Sequence, residues 1–170
     1  RYDEFRKGII TPTFDKAHGG GALMDLNVYN IHFVVGLFGL PKKVQYYPNL
    51  AENGVDTSGI LIMEYPDFQA VCTAAKDSTS DPFVIIQAED GTIVYPERPG
   101  YVRYGERHDR LTNLTEEIDV VVEDDPMKNE FLYIQEIIDT KNIEQMNVWL
   151  EKSTMTVAVL EQALQSILQG

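Results

Sequence analysis

The chain has 170 residues, 44% of them hydrophobic and 10% aromatic, one cysteine and a formal net charge of −13. That length and apolar content suit one domain with a single core. The acidic balance excludes nucleic acid and anionic membrane as partners, because both require clustered Lys and Arg. Cys72 is the lone cysteine, so no internal disulfide forms, which fits a reducing, cytoplasmic compartment. With no His or basic cluster beside it in sequence, Cys72 reads as a small apolar strand residue and not as a reactive thiol. The apolar run Ile31 to Leu40 falls short of the roughly 20 residues of a membrane span and contains His32. The chain starts at Arg1 without a signal-peptide pattern and is expected to be a soluble fragment.

Arg1 to Thr13 has the look of a strand end running into a loop, with Asp3 at a solvated terminus. His18 is a loop residue with no second His or Cys at metal spacing, and no metal site is expected. The run Gly19-Gly20-Gly21 then opens a helix to Phe38 that is apolar on nearly every side and is therefore expected to be buried. Asp25, Tyr29, His32 and Gly36 stand at i, i+4, i+7 and i+11 and share one face of it. A buried carboxylate must be paired or face a polar cavity, so this polar seam either meets partners inside the fold or lines a pocket. The plain alternative is an Asp in the first turn, favoured by the helix dipole, with Tyr and His as ordinary amphipathic residues.

Gly39-Leu40-Pro41 ends the helix, and Lys42 to Tyr47 alternates as a half-buried strand. After a turn-rich loop from Pro48 to Ser58, Ile60 to Tyr65 and Phe68 to Ala75 form a hairpin around Pro66-Asp67. Lys76 to Asp81 is polar, either a loop or a strand end facing a cleft. A second hairpin runs from Phe83 to Gln87, through Asp90-Gly91, to Thr92 to Tyr95. Pro96 to Gly100 breaks the pattern before Tyr101 to Tyr104. The charged run Glu106 to Arg110 reads as a solvated turn, and Glu117 to Val122 as a strand.

Asp125 as N-cap and Pro126 at the first helical position begin a helical tail. Its core faces are expected at Met127, Phe131, Ile134 and Ile138, then in a shorter helix from Asn142 to Lys152 bearing Trp149. A last helix places Val157, Leu160, Leu164, Ile167 and Leu168 on one side. The order gives an α+β fold: one open antiparallel or mixed β-sheet with helices on one face, the other face left for oligomerisation. Residues 1–170 are taken as one domain. No Gly-x-Gly-x-x-Gly loop between a strand and a helix is present, so no dinucleotide site is expected in this chain.

Gly-Gly-Gly-Ala-Leu-Met-Asp-Leu-Asn-Val-Tyr, from Gly19 to Tyr29, resembles the Gly-Gly-Gly-x-Leu-x-Asp-x-Gly-x-His/Tyr signature of the Gfo/Idh/MocA oxidoreductases. It resembles the start of their second, substrate-binding domain. Pro41 to Val44, Ala88 to Ile93 and Ser153 to Leu160 are similar to later segments of that domain in the same order, so the likeness runs from Phe14 to Leu168. Asn27 stands where the family usually has Gly. Tyr29, in place of the commoner His, resembles the branch of glucose-fructose oxidoreductase and dimeric dihydrodiol dehydrogenase.

The resemblance implies hydride transfer between nicotinamide and a carbon of a sugar, polyol or related compound bearing a hydroxyl or carbonyl. Tyr29 is then the proton donor or acceptor, Asp25 orients the substrate or Tyr29, and His32 adjoins the substrate. An N-terminal Rossmann domain, absent from this chain, would hold NAD or NADP and supply the Lys of a Glu-Lys-Pro motif. No cofactor is expected bound to this chain alone, the isolated domain is expected to be inactive, and a homo-oligomer is expected to form through the sheet. The competing reading, from a different class, is a non-catalytic interaction module that pairs through its sheet face while the helix seam is satisfied internally.

Overall fold

The computed structural model describes residues 1–119 and 125–168. They form an α+β fold with two open antiparallel sheets, where a single sheet was expected. The chain divides into two compact units, Arg1–Thr79 with the closing stretch from Trp149, and Ser80–Val148.

The first unit holds a core. Strands β1 (Lys43–Leu50), β2 (Asp56–Glu64) and β3 (Gln69–Ala75) pair in that order, with Tyr46, Leu61 and Cys72 in register across the sheet. Burial alternates along β2, with Thr57, Gly59, Leu61 and Met63 inward, as the period of two requires. The expected hairpin around Pro66-Asp67 is present, closed by the Tyr65 amide donating to the Phe68 carbonyl at 2.9 Å. The two preceding strands run longer than the alternation alone indicated, because β1 and β2 stay paired almost to their connecting turn.

Against the inner sheet face lies the glycine-motif helix: a π-helical turn, Leu23–Asn27, continued by α2, Val28–Phe38. Leu23, Asn27, Ile31 and Val35, four residues apart, are its buried positions. The expectation of a helix buried all round is corrected, since Tyr29 is 60% exposed and Met24, Leu37 and Phe38 also face solvent. By length and a mean hydropathy of 1.2, residues Lys16–Phe38 resemble a membrane span. Their continuous helical part, 5 residues followed by 11, is only about 24 Å long. It carries an ion-paired Asp25 and packs one face on a sheet, as a core helix does.

Two helices expected at the tail are one, α4 (Ile143–Ile167). The hydroxyls of Ser153, Thr154 and Thr156 donate to the carbonyls four residues back, at 3.1, 2.8 and 2.9 Å, so this polar patch continues the helix. Its buried face is Thr156, Val159, Leu160, Ala163 and Ser166. Of the face expected from the sequence, Val157, Leu164 and Leu168 are exposed. Ser166 accepts from the Tyr46 amide at 2.9 Å, so the helix satisfies one donor on the open edge of β1. Arg1 to Thr13, expected as a strand end, instead contains a short helix α1, Tyr2–Arg6.

The second unit holds β4 (Val84–Ala88), β5 (Gly91–Tyr95), β6 (Tyr104–Asp109) and β7 (Thr115–Asp119), paired in sequence order. The charged run read as a turn is strand β6, with Arg107 opposite Glu116 and their side chains 3.5 Å apart. Of the strand expected from Glu117 to Val122, residues Val120 to Val122 lie outside the described residues. α3 (Pro126–Thr140) is N-capped as expected, the Met127 amide donating to Asp125 at 3.0 Å. Its stripe of Met127, Phe131, Ile134 and Ile138 is exposed, which corrects its reading as core.

Candidate active site

The motif glycines are required by how closely the chain folds on itself. A Cβ on Gly20 would lie 2.6 Å from the Asp15 amide nitrogen and the Pro12 carbonyl oxygen. Gly21 sits at φ +116°, where a side chain would collide with the Asp56 carboxylate. The Gly21 amide donates to the Thr13 carbonyl at 3.1 Å, bringing the Pro12 to Asp15 turn beside the helix start. Asp56 accepts from the Leu23 amide and the Tyr46 hydroxyl, each at 2.6 Å. Burial, followed by the bond to Asp56, holds the Tyr46 phenol far above its ordinary value.

Asp25 sits inside the π turn, a rare helical form that occurs frequently at functional sites. Its Oδ2 accepts from Lys76 Nζ at 2.5 Å, and Lys76 also donates to the Thr13 carbonyl at 2.8 Å. Lys76 lies just past the end of β3 with its side chain 8% exposed, whereas that of Asp25 is 44% exposed. The ammonium stands 5.1 Å from the centre of the Phe14 ring. Phe14 in turn stacks on Phe5 at 4.6 Å and meets Tyr2 at 6.1 Å. Tyr2, Thr13, Phe14, Asp25 and Lys76 line a cleft of about 220 Å³.

The other seam residues diverge. Tyr29 is open to solvent, with no hydrogen bond drawn to it among the described residues. His32 is exposed and its Nδ1 lies 3.1 Å from the Thr156 hydroxyl on α4, which makes it a helix-to-helix tie. Asn27 is buried: its Oδ1 accepts from Asn30 Nδ2 at 2.7 Å, its own Nδ2 has no partner among the described residues, and Asn30 also donates to the Thr73 carbonyl at 3.0 Å. His18 pairs with Asp15 at 2.9 Å. The Ala17 amide, and then His18, hold the Asp15 carboxyl below the usual range. Asp3 has no place in the cleft lining. Burial pushes the Cys72 thiol up to about 12, which leaves it an unreactive thiol. Among the described residues no group of three His, Cys, Asp or Glu is placed to hold a metal.

Lys76 and Asp56 are the residues that sequence reasoning missed. Lys76 is 51 positions from Asp25 in the chain, and no periodicity links them; its only signal was a polar residue at a strand end beside a possible cleft. Asp56 fell within a stretch read as loop. It also bears on any dinucleotide, because its carboxylate already occupies the helix N-terminus where a pyrophosphate would bind. A 3₁₀ turn, Lys16–His18, precedes the glycines where a nucleotide loop would follow a strand. The described residues around the motif helix therefore do not fit NAD or NADP.

Residues 2–94 match the model of the GFO/IDH/MocA C-terminal domain. The chain is 36% identical over 168 residues to IolU of Bacillus subtilis, named a scyllo-inositol 2-dehydrogenase (NADP(+)), covering 96% of this chain and 49% of that protein. Over 67 residues it is 34% identical to human trans-1,2-dihydrobenzene-1,2-diol dehydrogenase, covering 37% of this chain and 20% of that enzyme. It thus spans half or less of the length of these curated relatives. Among solved structures, a protein of Desulfitobacterium hafniense assigned as an NADPH-dependent oxidoreductase superposes with a TM-score of 0.66 at 14% identity, over 94% of this chain and 49% of that one. An assigned oxidoreductase of Klebsiella pneumoniae gives a TM-score of 0.62 at 18% identity, over 87% and 47%. Those two share the fold. The family model and the IolU relationship together establish that this chain belongs to the GFO/IDH/MocA oxidoreductases, as their C-terminal domain.

Proposed function

We propose that this chain is the substrate-binding and oligomerising domain of an NAD(P)-dependent oxidoreductase acting on a sugar, polyol or related hydroxy or carbonyl compound. The observation that carries the reading is the Asp25 carboxylate held at the mouth of a cleft by a buried lysine, with Tyr29 exposed four residues further along the same helix. A site satisfied internally would have both side chains sealed; here both are open. The polyol named for IolU and the diol named for the human relative support a hydroxyl-bearing substrate.

Tyr29 gives or takes the hydroxyl proton, and Asp25 orients the substrate by accepting a hydrogen bond from one of its hydroxyls. The hydride partner would be carried on a separate dinucleotide-binding domain, so this chain alone is inactive. Its second role draws on the outer face of the β1–β3 sheet. Tyr47, Ile60 and Val71 stand exposed there, an apolar face that pairing with another copy would cover.

The test is Tyr29→Phe in the enzyme complete with its dinucleotide-binding domain. The ring is kept and the transferable proton lost, so turnover falls by about a hundredfold to ten-thousandfold with little change in melting temperature. Asp25→Asn lowers turnover as well. Full activity in Tyr29→Phe, with Asp25→Asn merely less stable, makes the seam structural and the site assignment wrong.

A further inference from the structure

We infer that Lys76 is a positioning residue of this site, fixing the Asp25 carboxylate so that one oxygen is held from beneath and the other is presented to a substrate hydroxyl. The inference rests on the function proposed above and adds to it a residue supplied by the far end of β3. The asymmetry of the pair is the first argument: the lysine side chain is almost wholly buried and that of the aspartate stands nearly half open. Oδ2 is committed to Lys76, and no hydrogen bond is drawn to Oδ1 among the described residues. A carboxylate tied through one oxygen has lost much of its rotational freedom before a ligand arrives, so the ordering cost of binding is already met.

The second argument is energetic. Burying an ammonium costs several kcal/mol, and only good partners offset it. Lys76 has two of its three N–H donors satisfied, by Asp25 and the Thr13 carbonyl, and the Phe14 ring nearby. Replacing a largely buried ion pair by well-packed apolar groups is often neutral for stability, and an apolar side chain of similar length would fill the same space without the desolvation cost. What the lysine supplies, and the apolar side chain does not, is a fixed direction for the carboxylate. Lys76 itself lines the cleft, where Tyr2 and Phe14 add ring surface. That combination suits a ring with adjacent hydroxyls: one donates to Asp25 Oδ1, its neighbour accepts from Lys76, and the C–H face lies on the aromatic side chains.

Steady-state kinetics of the enzyme with its dinucleotide-binding domain and NADP(H) test this, with scyllo-inositol, myo-inositol and glucose as probes. Lys76→Met is expected to lower kcat/KM by about a hundredfold, most of it as a rise in KM, because the lost contact acts on binding. Lys76→Arg should restore most of that loss. The double variant Lys76→Met with Asp25→Asn should be no worse than Asp25→Asn alone, since both remove one unit of function. Should Lys76→Met fail to fold, Lys76→Gln is read by the same criterion. An unchanged KM in the lysine variants, alongside a raised KM in Asp25→Asn, overturns the inference and leaves the reading of the site intact. Unchanged kinetics in Asp25→Asn, or no turnover of any probe by the unaltered enzyme, overturns that reading and the inference with it.

Discussion

The two units carry similar alternating strands but differ in what those strands bury. In the first, Val44, Tyr46, Leu61, Met63 and Cys72 close against Leu23, Ile31 and Val35 of the motif helix and Val159, Leu160 and Ala163 of α4. In the second, Gly105 is the one buried position among the described residues, while Phe83, Ile85, Leu114, Phe131 and Ile138 are exposed. Alternation announces which side of a strand is apolar and says nothing about what will cover it. The first unit covers the inner face of its sheet within the chain and leaves Tyr47, Ile60 and Val71 exposed on the outer one. The second leaves apolar side chains of β4 and α3 exposed.

The largest break in that comparison comes from cavities. Met63→Ala, in the first core, should cost about 2–5 kcal/mol in urea unfolding. Ile85→Ala, half exposed on β4, should stay within about 0.5 kcal/mol. Equal losses at the two positions would mean that the second unit is as well packed as the first.

Alkaline pH probes the first core through Cys72. The unfolded chain ionises Cys72 near its ordinary value, whereas burial keeps the folded thiol protonated up to about 12. The stability that this group contributes is therefore complete below the unfolded pKa and is lost as pH rises toward the folded one. About 1–2 kcal/mol should disappear between roughly pH 8 and 10, and Tyr46, also shifted upward, adds to the loss above that range. Cys72→Ala should flatten the dependence; an unaltered slope would place its origin elsewhere.

A smaller effect separates the units at α3. Asp125→Ala removes the N-cap of that helix and should cost about 1 kcal/mol locally, lowering helical circular dichroism while the main unfolding transition of the first unit stays in place. On the outer face of the first sheet, Val71→Lys should change stability least, by about 0.5 kcal/mol or less. It should nevertheless shift sedimentation toward the monomer, because a charge on an exposed strand discourages pairing. A monomer at high concentration in the unaltered protein would remove the proposed interface.

Where the fold was legible, the signal was local. The Pro66-Asp67 and Asp90-Gly91 hairpins follow from turn chemistry joined to alternation, and the Asp125 cap from a helix-start pattern. Local signals failed where long-range partners decide the outcome. Apolar residues all round the motif helix implied burial, yet the sheet and α4 cover one side and leave Tyr29 in solvent. The charge of β6 looked like a turn because Glu106, Arg107 and His108 on successive positions are all exposed, so little selects apolar residues there. Asp25 and Tyr29 could be singled out by spacing and by the family signature. Lys76, Thr13 and Asp56 could not, because their places in the site are set by sheet register and by a turn folded back on the helix.

The central proposal is that this chain builds the substrate side of a reaction centre and holds no dinucleotide, the Leu23 amide at its helix start being already bonded to Asp56. The most direct measurement is a fluorescence titration of the 170-residue chain with NADPH. The account predicts no saturable change; a micromolar dissociation constant, about −8 kcal/mol of binding free energy, would contradict it.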